Sequence, residues 1–468
     1  MQTDRYIAAV DLGSSKISLL VAGVDGENVQ VLYYKEVPSS GVEHGRVFNP
    51  KKAATALKPL IKDAEDELSI KILQIVVGMP RYEIRQEINT GRMQRSDPSS
   101  CITKDEISSL KSMAINNYPL SNPQVDEIYG TVAQSFSADD LICAKEDDII
   151  GVTAENLDGN FKTFIGGHKA SSNIDIILND VGVAPAYKLF TPTAVAKATL
   201  TESEKDNGVA LVEVGAEVSS VTIYKDGILR HYSSIPFGGQ SITGDIKSEC
   251  SFSTSLAENV KRAYGACMPD RLQSLEEKVL QINNDEDGSY EQLPVKYLSE
   301  IITARAREII EAVLFQIQES GYADKLRNGV VLTGGCAELV NFATMFKDLS
   351  GYSVRIGYPR SKNFNSGGCA GVCDTSATAT LGMVLESKSD QHLNCIEEIA
   401  KAPEAEDETP ALDENGDGSL FGDEGIQSDV ITPRIKPPKR KPRGFSWLGA
   451  KLENVFDNTV GNIFNEME

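Results

Sequence analysis

A short turn near the start of the chain, Asp11-Leu12-Gly13-Ser14-Ser15-Lys16, gathers small, hydroxyl and charged residues in six positions. Small residues let backbone N–H groups approach a phosphate, and the two hydroxyls add donors. Lys16 supplies positive charge, and an aspartate at a strand end can hold Mg²⁺ through water. A plain hairpin turn has the same residues, so this segment alone decides nothing. Three others join it. Val212-Glu213-Val214-Gly215-Ala216-Glu217-Val218 stands where a matching second loop belongs. In Leu332-Thr333-Gly334-Gly335-Cys336 the paired glycines let the backbone pass close to a flat adenine base. In Ala257-Glu258-Asn259-Val260-Lys261, Glu258 and Lys261 share a helix face, where they contact ribose or base, or simply pair with each other. All four, in this order and separated by strand–helix units, point to a nucleotide site.

The elements that must position these residues come in two rounds. Residues 5–10, 17–24 and 29–36 read as three successive strands, with the Asp11–Lys16 turn joining the first two. A helix over Pro50–Leu68 follows, with Ala53, Ala54, Leu57, Leu60, Ile61 and Ala64 on one side, and then a strand over 72–78. This alternation argues for an α/β domain. The pattern then restarts. Residues 209–214, 219–225 and 228–235 repeat the three-strand opening, with Asp226-Gly227 as a hairpin turn. A long helix over Val295–Glu319 and a strand over 329–332 follow. Two copies of one opening imply two related halves facing each other.

The 468 residues suffice for two or three domains, and 41% are hydrophobic, enough for a sizeable core. The net charge of -22 argues against nucleic acid as a partner. Eight cysteines without a C-x-x-C pair, and four histidines in all, do not suggest zinc and fit a reducing cytoplasm. The opening residues do not read as a signal peptide. No apolar run has the length to span a bilayer, so a soluble or peripheral protein is expected.

The composition changes near residue 390. Residues 391–444 read as a disordered linker, first acidic and then basic. Between Glu397 and Asp429 stand twelve acids and one lysine. Arg434, Lys436, Lys439, Arg440, Lys441 and Arg443 then crowd into ten positions. Residues 445–468 read as an amphipathic helix. Leu448, Leu452, Val455, Phe456, Val460 and Ile463 fall within about 140° of arc. With Trp447 at its start and Phe464 near its end, such a helix lies in a membrane interface, and the basic run before it suits anionic lipid. Docking on the chain's own core or on a partner is the other reading. Asp413 to Glu424 matches a calcium-binding loop at its ligand positions, but Pro403, Pro410, Gly425 and Pro433 speak against the flanking helices such a loop needs.

The order of phosphate loop, connecting helix, second phosphate loop, adenosine loop and connecting helix resembles the superfamily of actin, sugar kinases and heat-shock chaperones. The connecting helices would be 193–201 and 375–386. Within it the chain resembles the FtsA family of bacterial division proteins. The resemblance rests on Ser40-Gly41-Val42-Glu43-His44-Gly45-Arg46-Val47, Gln134-Ser135-Phe136-Ser137-Ala138-Asp139, Arg230-His231-Tyr232 through Ile235-Pro236-Phe237-Gly238-Gly239, and Val354-Arg355-Ile356-Gly357-Tyr358-Pro359. It implies an actin-like, two-lobed fold of duplicated ribonuclease H-like halves. The first lobe would be 1–208, carrying an FtsA-type inserted subdomain at 81–172. The second would be 209–390, with its last helix returning to the first.

The resemblance also implies a function. The chain would bind ATP and Mg²⁺, polymerise with itself and grip the C-terminal peptide of FtsZ, docked roughly on 237–297. Its tail would tether FtsZ filaments to the cytoplasmic face of the inner membrane at the division site, and the assembly would recruit later division proteins. Asp11, Gly13, Ser14, Ser15, Lys16, Glu213, Gly215, Glu258, Lys261, Gly334 and Gly335 would hold the nucleotide, with Asp11 and Glu213 on the metal. The second loop departs from the family's D-I-G-G-G-T pattern. Glu213 replaces the aspartate, Ala216 and Glu217 replace glycines, and Val218 replaces the threonine. Glu217, if it faces the pocket, sets a carboxylate beside phosphates. Residues 190–199 hold no Gln, Glu or Asp to orient a water, so hydrolysis is expected to be poor or absent and the chain at most a weak ATPase. The alternatives are an actin-like pilus-assembly scaffold and a small-molecule kinase of the same superfamily.

Overall fold

A computed structural model describes residues 5–272, 278–283 and 290–398. The basic run, the membrane-helix positions of 445–468 and the calcium-loop match lie outside the described residues.

Two five-stranded sheets share one plan. In the first, the strands Arg5–Leu12, Lys16–Asp25 and Asn28–Pro38 form an antiparallel meander. Gln74–Gly78 pairs in parallel with the first of them, and Ala184–Leu189 with Gln74–Gly78. In the second sheet, Val209–Val214, Ser219–Lys225 and Ile228–Ile235 form the meander. Val330–Thr333 pairs in parallel with Val209–Val214, and Val354–Ile356 with Val330–Thr333. Direction and order agree strand for strand. The central strands are near-continuous apolar runs because helices cover both faces: Ile7, Ala8, Ala9 and Val10 are buried in one sheet, and Val209, Ala210, Leu211 and Val212 in the other.

The helix Pro50–Leu68 packs on the first sheet through the apolar stripe read from sequence. Asn49 caps it by accepting from the Lys52 N–H at 3.2 Å, and Ser69 ends it in the left-handed region. The strand expected over 72–78 is divided. Ile70–Ile72 pairs with Ile396–Glu398, and Gln74–Gly78 enters the sheet. The expected linker is corrected here. Residues 396–398 are a strand, and Leu393, Cys395 and Ile396 are buried against the first sheet. Their apolar side chains and backbone pairing outweigh the acidic composition that suggested a linker from 391.

The chain crosses between the lobes at two helices, Thr191–Thr199 and Thr378–Ser387, which pack on each other. The first starts two residues earlier than expected because Pro192 fits a first turn. The second is preceded by a single 3₁₀ turn, Thr375–Ala377. Between Gln74–Gly78 and Ala184–Leu189 lies an inserted sheet of Leu141–Ala144, Asp126–Ala138, Asn156–Gly167 and Arg85–Gln94, in that order. It is backed by the helix Lys104–Asn116, which opens with a Thr103–Glu106 capping box. Phe164, Phe190 and Tyr232 join this insert to both lobes: Phe164 stacks on Phe190 with centroids 4.6 Å apart, and Tyr232 meets Phe190 edge-on at 5.4 Å. Among the described residues, no helix is long and apolar enough to cross a membrane.

Candidate functional site

The two halves bring equivalent turns to the ends of their first strands. In the first, the Gly13 N–H donates to the Lys16 carbonyl at 3.0 Å; in the second, the Gly215 N–H donates to the Val218 carbonyl at 2.9 Å. A side-chain carbon on Gly13 would lie 2.8 Å from the Lys16 oxygen, and one on Gly215 would lie 2.9 Å from the Val218 oxygen. Both turns therefore require glycine by close approach. Asp11 and Glu213 hold the same place, two residues before each glycine. In the first turn, Ser14 Oγ accepts from the Gly45 N–H at 2.8 Å, and the Ser15 carbonyl accepts from the Ser39 N–H at 3.0 Å. In the second, the Gly215 and Ala216 carbonyls accept from the Gly239 and Gln240 N–H groups at 2.9 and 2.7 Å. The free carbonyls of both turns are thus satisfied by the segment after the third strand. Lys16 is paired across the sheet with Glu36.

The predicted adenosine residues gather beside the second turn. Gly334 has φ +85°, and a side-chain carbon there would strike the Val214 carbonyl oxygen at 2.5 Å, so the turn Gly334-Gly335 is pressed against the end of the Glu213 strand. Gly335 has open space on its side-chain face. Lys261 pairs with Glu258 at 2.7 Å and donates to the Gly239 carbonyl at 2.9 Å and to Thr243 Oγ1 at 2.8 Å. Burial pushes the Glu258 carboxyl up, but Lys261 and Thr243 outweigh it and hold it below its ordinary value. Glu258 and Lys261 are therefore more than an exposed ion pair: they pin the start of the helix Gly239–Cys250 next to the glycine turn.

Sequence reasoning missed Arg81. It follows the strand Gln74–Gly78, the parallel neighbour of the Asp11 strand, with Val10 opposite Val77. Strand carboxyl ends line the crevice of such sheets, and that placement is the signal that could have found it. Arg81 Nη2 donates to Asp11 Oδ1 at 2.9 Å, while Nε lies 3.3 Å from Glu213 Oε2. The second contact is a charge pair without hydrogen-bond alignment, since Nε is buried and has no hydrogen-bond partner. The three side chains are 13, 17 and 15% exposed for Arg81, Asp11 and Glu213. Tyr232 donates its hydroxyl to the Arg81 carbonyl. Burial alone would lower the guanidinium pKa, but Asp11 and Glu213 hold it above the ordinary arginine value. Burial pushes the Glu213 carboxyl up against the pull of Arg81. Glu217 also spans the cleft: its Oε2 accepts from the His44 N–H at 2.6 Å.

Known proteins resemble this chain at both levels. The family model "Cell division protein FtsA" matches residues 210–379. A cell division protein FtsA of Neisseria meningitidis is 29% identical over 362 residues, covering 77% of this chain and 85% of that relative. One from Borreliella burgdorferi is 26% identical over 398 residues, covering 85% and 94%. The chain is similar in sequence to FtsA cell division proteins over most of its length. A solved PilM-PilN type IV pilus biogenesis complex superposes with a TM-score of 0.56 at 15% identity, covering 82% of this chain and 98% of that one. That likeness concerns the fold, which is the actin-like one.

Set against the FtsA-family resemblance, the site divides. The glycine turns and the open face of Gly335 suit a nucleotide's backbone-lined cradle. The carboxylate pair does not suit a divalent ion. Mg²⁺ needs near-octahedral oxygen ligation, and here a guanidinium already lies between Asp11 and Glu213. Among the described residues, no group of three or more His, Cys, Asp or Glu could hold a metal.

Proposed function

We propose that this chain is an FtsA-type cytoskeletal adaptor of cell division, which binds ATP, polymerises with itself and tethers FtsZ filaments to the membrane. The observation that carries the nucleotide reading is the pairing of two equivalent glycine turns, Gly13–Lys16 and Gly215–Val218, beside the Gly334-Gly335 turn. Asp11, Gly13, Ser14, Ser15 and Lys16 border the phosphates on one side, and Glu213 and Gly215 on the other. Glu258, Lys261, Gly334 and Gly335 take the adenosine. Mg²⁺ between Asp11 and Glu213 has no support in their present pairing with Arg81.

The rest of the proposal rests on the similarity to FtsA proteins and the sequence of the tail. Residues 445–468 lay Trp447, Leu448, Leu452, Val455, Phe456, Val460, Ile463 and Phe464 on an anionic membrane surface. The protein then sits peripherally on the cytoplasmic face of the inner membrane at the division site, where it recruits other division proteins. One helix of this kind binds weakly, so polymerisation supplies firm attachment. Lobes over 1–208 and 209–390, with an insert at 81–172, complete the reading. The experiment is co-sedimentation of the full chain with anionic vesicles, with and without FtsZ and ATP. FtsZ is expected to pellet only when the chain is present. Deletion of 445–468 should abolish pelleting of both, and unchanged pelleting would end the tether proposal.

A further inference from the structure

The geometry points to Arg81 as a resident counter-ion that takes the place of a divalent cation between Asp11 and Glu213, so that the cleft accepts a nucleotide without a metal. The two carboxylates are equivalent positions of the two halves, the places from which a shared cation would be gripped. Arg81 reaches both, at 2.9 and 3.3 Å. A guanidinium cannot shed its charge at any working pH, so it neutralises them permanently. Its backbone is anchored by Tyr232 of the second lobe. A dication entering the same space would meet a fixed positive charge and two carboxylates already engaged.

The arrangement also leaves a donor to spare. Arg81 Nε is buried without a hydrogen-bond partner, and guanidinium forks match phosphate oxygens. Lys16, the other cation of the phosphate face, is tied to Glu36. Arg81 is therefore the cation placed between the two turns, and a phosphate group that drew on Nε would have to displace Glu213 while leaving the Asp11 bond in place. Lobe-to-lobe bridging, which a metal–nucleotide pair would otherwise supply, is built into the chain through Asp11–Arg81–Glu213 and Glu217–His44.

That the cleft accepts a nucleotide rests on the function proposed above; that Arg81 excludes a divalent ion does not. The experiment has two arms on the full chain. In the first, Mn²⁺ alone is titrated by electron paramagnetic resonance into the wild type, Asp11→Asn and Arg81→Met. Mn²⁺ held by the acidic residues beyond 398 is common to all three and subtracts out. Wild type and Asp11→Asn should bind identically, whereas Arg81→Met should gain one site at least tenfold tighter than the background. An Asp11-dependent Mn²⁺ site in the wild type would overturn the proposal, as would a folded Arg81→Met protein that gains none. If Arg81→Met fails to fold, the comparison of wild type with Asp11→Asn still decides. In the second arm, ATP binding is measured in EDTA and in Mg²⁺. Wild-type affinity should change less than about twofold, and loss of binding in EDTA would overturn metal independence. Absence of ATP binding in both conditions would defeat the nucleotide reading while leaving the Mn²⁺ result to judge Arg81.

Discussion

The turns Gly13–Lys16 and Gly215–Val218 have one backbone and two chemistries. Each closes with the same hydrogen bond, at 3.0 and 2.9 Å, and each stands on the first strand of a meander. The first carries Ser14, Ser15 and Lys16; the second carries Ala216, Glu217 and Val218. The difference teaches that the backbone of a duplicated site outlasts its side chains, because the turn is held by close packing of glycine and strand. Side-chain chemistry can drift within that frame, and Arg81 and Glu217 show how it has: charges from one half are answered by groups of the other.

The largest effect should come from removing what joins the two copies. Arg81→Met leaves two largely buried carboxylates facing each other, and a loss of about 3 kcal/mol is expected in urea unfolding. Millimolar Mn²⁺ should restore part of it; a loss within error would show that the copies are not coupled there. The next test asks whether the frames are truly equivalent. Gly13→Ala and Gly215→Ala each force a carbon against a carbonyl oxygen, at 2.8 and 2.9 Å, and each should cost about 1–3 kcal/mol. Unequal losses would separate the frames. A third change makes the chemistries alike. Ala216→Gly with Glu217→Gly removes a carboxylate from the phosphate face and should tighten ATP binding about tenfold, or about 1.4 kcal/mol, by calorimetry.

The smallest effect concerns the third strands. His231, on Ile228–Ile235, sits against the Gln86 side-chain amide at 2.8 Å. Burial, aided by Lys162, pushes its pKa down to about 4. An unfolded chain takes up this proton near pH 6.5, and the folded one only near 4. Stability from this group is therefore full above about pH 6.5, falls as pH drops toward 4, and is level below. The effect is reduced because the ring is only part-buried. His231→Asn should flatten that portion of the pH–stability curve. The first copy has no histidine in its third strand, Asn28–Pro38, so it should contribute no such slope.

Much of the frame was legible. The strands Val209–Val214, Ser219–Lys225 and Ile228–Ile235 and the helices Pro50–Leu68 and Val295–Glu319 lie where period and turn residues place them. These signals are local. Arg81 was not legible, because its meaning comes from a parallel pairing that sets Val77 beside Val10. The reach of Glu217 to His44 depends likewise on how the lobes face each other. At Ile396–Glu398, three residues of pairing with Ile70–Ile72 overrule an acidic composition. Composition reports an average, and a strand needs only a partner.

That short pairing has a mechanical consequence. The body ends where it began: Cys395 donates its N–H to the Tyr6 carbonyl at 2.8 Å, and Tyr6 Oη bonds Glu398 at 2.8 Å. Tension applied through residues beyond 398 is therefore shared between Ile70–Ile72 and the Arg5–Leu12 strand, the one that carries Asp11. A pull on the tail therefore loads the Asp11 wall of the cleft first, and Arg81 is one of the links through which force would pass from that half of the molecule to the other.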